Sequence, residues 1–91
     1  MIKLTGRLLC TSPEQAERVR QYLPEHRRLT LAEAGCLSFT VSETPDPLIW
    51  NVEELFTSQA TFDAHQKRTQ ASVWGQKTRA IAREYVIHEV E

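Results

Sequence analysis

Two prolines within the short segment Glu43-Thr44-Pro45-Asp46-Pro47 separate two runs of alternating apolar and polar residues. Proline has no amide proton to give to a sheet ladder, and its ring fixes φ, so neither residue suits the interior of a central strand. The segment therefore reads as a connection, and the flanking runs as the two strands of a hairpin. Before it, Leu37, Phe39 and Val41 alternate with Cys36, Ser38, Thr40 and Ser42. After it, Leu48, Trp50, Val52, Glu54 and Phe56 share one face, with Ile49, Asn51, Glu53 and Leu55 on the other. A lone hairpin is at best marginally stable in water, so other parts of the chain must cover one of its faces.

The flanking segments supply that cover. From Ile2 to Thr11 the pattern alternates again, Ile2, Leu4, Leu8 and Cys10 opposing Lys3, Thr5, Arg7 and Leu9. Gly6 interrupts this strand where a bulge or a close backbone approach is expected. Ser12-Pro13-Glu14-Gln15 opens a helix: serine can cap it, proline suits its first position, and glutamine completes a capping box. Ala16, Val19, Leu23, His26 and Thr30 follow at spacings of three and four and form its inner face. Pro24 predicts a kink or two helical pieces, the second reaching about Glu33, with Gly35 ending it. Beyond the hairpin, Thr57 or Ser58 caps a second helix in which Phe62, His65 and Thr69 share a face. Weak patterning over Lys67 to Thr69 predicts a break before a further helical piece from Ala71 to about Ala80. Residues Ala82 to Val90 close the chain as a strand, with Tyr85 and Ile87 on one face and Val86, His88 and Val90 on the other.

The order β-α-β-β-α-β predicts an α+β, ferredoxin-like antiparallel sheet with both helices on one face. The opposite face is then bare. Leu9, Phe39 or its neighbours, Trp50 and Val86 are expected there, an apolar surface that a homodimer would cover.

Composition limits what such a domain does. The chain has 91 residues, read as a single domain over 1–91, and a domain of this size buries only about two-thirds of the surface its unfolded form exposes. Its 41% hydrophobic and 25% charged residues suit an ordinary globular chain with no membrane span. With a net charge of -1 and acids interleaved among the arginines of the first helix, no basic stripe is available for nucleic acid. The N-terminus alternates like a strand rather than carrying a signal peptide, so a cytoplasmic location is expected. Cys10 and Cys36 have neither metal-ligand nor redox-motif spacing and read as reduced thiols within strands.

Histidine and its carboxylate neighbours carry what chemistry the residues offer. His65 faces inward beside Phe62, and its ordinary pKa allows a general base or a ligand-orienting donor near neutral pH. It equally suits a structural tie to Glu54, which shares a strand face with Trp50 and Phe56 and needs a partner if covered. His26 reads as a core or rim histidine that could also line a pocket. Trp74, Phe39 and Phe56 could clamp a planar aromatic ligand, or could simply be core. Arg79 and Arg83 could receive an anionic group, while His88 reads as a surface or interface residue.

The combination Glu33-Ala34-Gly35-Cys36-Leu37-x-Phe39-x-Val41, then Glu54-x-Phe56, then Phe62-x-x-His65, resembles the antibiotic biosynthesis monooxygenase superfamily. The resemblance covers about residues 2 to 90, although Ala34 stands where the family usually has proline. It implies a dimeric α/β barrel in which the C-terminal strand helps complete the partner's barrel. For activity, it implies oxygenation of a phenol or quinol by molecular oxygen without metal or flavin, haem degradation, or isomerisation of a small metabolite. Polyketide-oxidising members place a strand Asn, a Trp and a Tyr where this chain has Val52, Phe56 and Phe62, so their substrate orientation does not carry over. Haem-degrading members need an Asn on the first strand, whereas the only Asn here is Asn51. The resulting expectation is a cofactor-independent monooxygenase for a small aromatic, quinol-like compound. In it His65 is the base or orienting group, Glu54 its partner, and Trp74, Phe39, Phe56, His26 and Arg83 bind substrate. The alternative is a non-catalytic or isomerising small-molecule binding protein on the same dimeric fold.

Overall fold

The computed structural model describes all 91 residues. The elements are β1 (Ile2–Leu9), α1 (Pro13–Leu31), β2 (Cys36–Glu43), β3 (Ile49–Phe56), α2 (Gln59–Ala71), α3 (Val73–Lys77) and β4 (Ala82–Glu89). All pairings are antiparallel and the strand order is β2-β3-β1-β4, the ferredoxin-like arrangement expected from the element order. β1 and β3 sit at the centre, with β2 and β4 as edges. No helix is long and apolar enough to cross a membrane.

Local signals explain most boundaries. Ser12 accepts from the Gln15 amide, and the Gln15 side chain reaches back to the Thr11 amide, so the start of α1 is fastened from both sides. Ser58 and Thr61 form a reciprocal capping box at the start of α2. α1 runs unbroken through Pro24 and ends at Leu31, which removes the two-piece alternative to a kink and corrects the later end. Pro24 and Arg20, four residues earlier, are both exposed, so the carbonyl that loses its partner there can be hydrated. The second break also moves. α2 continues to Ala71 and the chain turns at Ser72, whose hydroxyl donates to the Thr69 carbonyl at 2.6 Å and accepts from the Gly75 amide at 3.0 Å. α3 then ends at Lys77, short of the expected Ala80.

Gly35 adopts φ +85°, and a Cβ there would lie 2.5 Å from the Thr61 side chain. Its carbonyl accepts from the Thr57 amide at 2.9 Å, joining the β2 entry to the start of α2. A register shift between Cys36 and Ser38 makes Leu37 the extra residue of a bulge. Leu37 is consequently 52% exposed rather than sharing the inner face with Phe39 and Val41.

The core fills the space between the helices and one sheet face: Ile2, Leu4 and Leu8 of β1, Val52 and Phe56 of β3, and Ala16, Val19 and Leu23 of α1. Trp50 and Phe39 belong to this covered face, being 4% and 7% exposed, which corrects their expected place on the bare side. Strand alternation puts them level with Leu8 and Glu54, and the Arg20 guanidinium lies over the Trp50 ring at 5.6 Å. The bare face is more polar than expected. It carries the Lys3–Glu53 and Arg7–Glu84 ion pairs, with Leu9, Ile49, Leu55 and Val86 among its apolar groups. Cys10 is buried and Cys36 half-buried, both free, and burial pushes both thiols up.

Candidate functional site

A cavity of ≈ 520 Å³ opens between the inner sheet face and the α2–α3 segment. Its volume falls within the range of small-molecule sites. Each element contributes a different kind of group. β3 presents Glu54, β2 presents Phe39 and Val41, α1 presents His26, α2 presents His65 and Thr69, α3 presents Trp74, and β4 presents Arg83 and Tyr85.

His65 is 1% exposed and held on both sides. Its Nδ1 lies 2.9 Å from Glu33 Oε2. Arg68 donates through Nε to the other Glu33 oxygen and through Nη2 to Thr30 Oγ1 at 3.0 Å. A carboxylate held by a guanidinium accepts, so Nδ1 carries a proton and the Nε2 edge is left for the other side. There, Thr69 Oγ1 and Glu54 Oε1 both stand 3.4 Å from Nε2. The Glu54 contact is close but poorly aligned, and Oε1 has no hydrogen-bond partner although buried. A buried, unsatisfied carboxylate oxygen on a cavity wall is an acceptor for a proton brought by a ligand.

The aromatic side of the cavity is built around His26. Its ring stacks parallel on Trp74 at 4.8 Å, meets Phe39 edge-on at 5.3 Å and lies 5.9 Å from His65. Burial, and then electrostatic opposition from Arg68, His65 and Arg83, push its pKa down to about 3. His26 is therefore a neutral, flat wall rather than a base at ordinary pH, and its Nδ1 has no partner. Together with Trp74 it also separates the cavity from a second cleft, of ≈ 530 Å³, between α1 and the α2–α3 segment.

The residues expected from the sequence divide clearly by position. His65, Glu54, His26, Trp74, Phe39, Arg79 and Arg83 all line the cavity. Phe56 does not; it is fully buried, edge-on to Phe62 at 5.6 Å and 4.8 Å from His65, so it backs the histidine instead of forming a wall. Arg83 is committed to its own turn, with Nη1 donating to the Thr78 and Ile81 carbonyls at 2.5 and 2.9 Å and Nη2 to Thr78 Oγ1 at 2.8 Å. His88 pairs across from Lys3 on the exposed sheet face, away from the site. No group of three or more His, Cys, Asp or Glu is arranged to hold a metal ion.

Two lining or bracing residues escaped the sequence reading. Glu33 looked like one of several acids balancing the arginines of α1, and only the fold brings it to His65. Tyr85 was legible as an inward strand residue, but its place on the cavity floor depends on Gly6. These two residues pair in register, and the Tyr85 ring lies where a Gly6 side chain would otherwise be, its Cδ1 2.7 Å from the position of a Cβ.

The sequence profile described as antibiotic biosynthesis monooxygenase matches residues 1–77. Among solved structures, a candidate antibiotic biosynthesis monooxygenase from Deinococcus radiodurans is 24% identical with a TM-score of 0.79, covering 100% of this chain and 93% of its own. One from Nitrosomonas europaea is 16% identical with a TM-score of 0.80, covering 96% of this chain and 88% of its own. SnoaB, a cofactor-independent oxygenase from Streptomyces nogalater, is 13% identical with a TM-score of 0.76, covering 99% and 92%. At these identities the structures establish a shared fold. No curated protein matches the sequence.

Proposed function

The chain belongs to the antibiotic biosynthesis monooxygenase family, and from that premise we propose that it oxygenates a small aromatic, quinol-like compound with molecular oxygen and no bound metal or flavin. The observation that carries this reading is the unpartnered Glu54 oxygen on the cavity wall, next to an imidazole whose far side is fastened to Glu33. A phenolic or enolic proton passes to Glu54, with His65 beside it to share or relay that proton, and Glu33 with Arg68 keeps the imidazole in place. Losing the proton makes the ring electron-rich enough to reduce oxygen itself. In the net reaction a ring methylene becomes a carbonyl with one oxygen atom, and the second oxygen leaves as water with the two hydrogens. His26, Trp74 and Phe39 supply flat surfaces for the ring. The name of SnoaB, a cofactor-independent oxygenase, supports chemistry of this type on this fold. The protein would act in the cytoplasm as a homodimer formed through the open sheet face.

A second reading draws on the depth of His65. A ring only 1% exposed between two carboxylates also suits a structural tie in a binding or isomerising protein. Oxygen consumption separates the two. Purified protein is given a panel of quinols and anthrones and compared with Glu54→Gln and His65→Gln. The proposed chemistry requires uptake above buffer and a loss on the order of hundredfold or more in each variant, the usual scale of acid–base catalysis. Absent uptake rejects oxygenation; uptake unchanged in folded variants removes these residues from the reaction.

A further inference from the structure

The sheet side of the cavity is short of a donor for the far side of a ligand. Val52 of β3 and Phe39 and Val41 of β2, which line it there, are apolar and no more than 7% exposed. The remaining candidates are mostly committed elsewhere. The Thr69 hydroxyl is beside His65, Arg83 donates to Thr78 and Ile81, and Arg79 and Gln70 are exposed to competing water.

Two half-buried lining groups carry no such commitment, Gln66 on α2 beside His65 and Tyr85 on β4, and of these only Tyr85 stands on the sheet floor away from Glu54 and His65. It is half-buried on the sheet floor, its ring crosses Gly6, and its hydroxyl oxygen faces Arg83, a donor, so the hydroxyl's own proton is left for a ligand. Burial pushes its pKa up to about 12, against the opposing pull of Arg83, so the phenol keeps its proton throughout the physiological range. In register, Glu54 is level with Leu4 and Ile87, whereas Tyr85 is level with Gly6 and Val52. The two side chains thus project from strands two apart and from neighbouring inward rows, roughly 12 Å between Cα atoms by ordinary sheet spacings. Between them lies the cavity.

We propose that Tyr85 is the specificity-determining donor of this site, selecting ligands that place a carbonyl or oxyanion toward Tyr85 while an acidic hydroxyl on the same ring system faces Glu54. The two ends are chemically complementary to such a compound: an unsatisfied acceptor at Glu54 and a protonated donor at Tyr85. A site built around a donor discriminates against analogues lacking its acceptor, because the donor is then left desolvated and unpaired. Gly6 is part of the device, since any side chain there would occupy the space of the tyrosine ring and of the Glu84 carbonyl.

The inference rests on this cavity being the ligand site of the proposed oxygenase, but its test requires no turnover. Binding is measured calorimetrically for three compounds: a hydroxytetralone with its oxygens at opposite ends of the bicycle, the parent tetralone, and tetrahydronaphthol. The wild type should bind hydroxytetralone about five- to tenfold more tightly than either single-oxygen analogue, one hydrogen bond's worth at each end. Tyr85→Phe keeps the ring over Gly6 and should bind hydroxytetralone no better than tetrahydronaphthol, with tetrahydronaphthol itself unchanged. Glu54→Gln should weaken the two hydroxyl compounds and leave tetralone unaffected. Equal wild-type affinities for all three, no binding of any, or a folded Tyr85→Phe protein that retains the preference would each overturn the proposal. The expected binding pattern without oxygen uptake would reject the oxygenase reading while leaving the Tyr85 assignment standing.

Discussion

Burial has moved the titration of His26 out of the range in which imidazoles usually exchange protons. Its folded pKa of about 3 stands below the ordinary 6.5, with Arg68, His65 and Arg83 adding to the cost of charging it. The sign of the consequence follows directly. Below pH 6.5 the unfolded chain takes up a proton that the folded chain refuses until about pH 3, so acid favours unfolding across that window. Stability attributable to this site is complete above pH 6.5 and falls as the pH drops, at up to about 1.4 kcal/mol per pH unit. His26→Phe retains a flat ring against Trp74 and should show a shallower acid loss in urea unfolding curves. Parallel wild-type and variant profiles would mean that His26 is not held neutral. The helical spacing already placed His26 on the inner face. That its ring would be stacked, unpartnered and uncharged was not legible, because those properties come from Trp74, Phe39 and the surrounding charges on other elements.

At the level of elements, the joint between the β2 entry and α2 carries the site. Glu33, Gly35 and the α2 cap all fall within it, and Gly35 is the position where backbone and neighbour leave no choice of residue. Gly35→Ala places a Cβ against Thr61 on a left-handed backbone and should cost about 1–3 kcal/mol. Ser58→Ala loses the cap and should cost about 1 kcal/mol. Chemical denaturation tests the pair, and a Gly35→Ala protein as stable as wild type would contradict the strained-turn account. A cap at Thr57 or Ser58 was readable because capping acts over three residues, and the structure assigns it to Ser58. The bulge at Leu37 was not, since an extra residue in β2 is defined only by its pairing with β3. The break at Ser72 was displaced for a similar reason. It is fixed by the bonds of Ser72 to Thr69 and Gly75 rather than by the weak pattern before it.

For the molecule as a whole, the open sheet face is where association would occur, and it is less apolar than alternation alone suggested. Leu9, Ile49, Leu55 and Val86 remain as the groups that two copies could share, amid the Lys3–Glu53 and Arg7–Glu84 pairs. Val86 is 62% exposed, so Val86→Glu should leave the monomer fold intact and shift the proposed dimer toward monomer in sedimentation velocity. A monomeric wild type at micromolar concentration would remove the dimer. The sequence by itself determined the order β-α-β-β-α-β, the starts of α1 and α2, the inward faces of β1 and α1, and the inward histidines, because periodicity and capping operate within a few residues. Tertiary structure alone decided that Trp50 and Phe39 lie under the helices, that Phe56 backs His65 instead of lining the cavity, that Glu33 reaches His65 from 32 residues away, and that Tyr85 lies across Gly6. The physical reason is common to all four: alternation defines two faces for a strand without saying which is covered, and contacts between elements depend on register and helix placement, which no local stretch of chain contains.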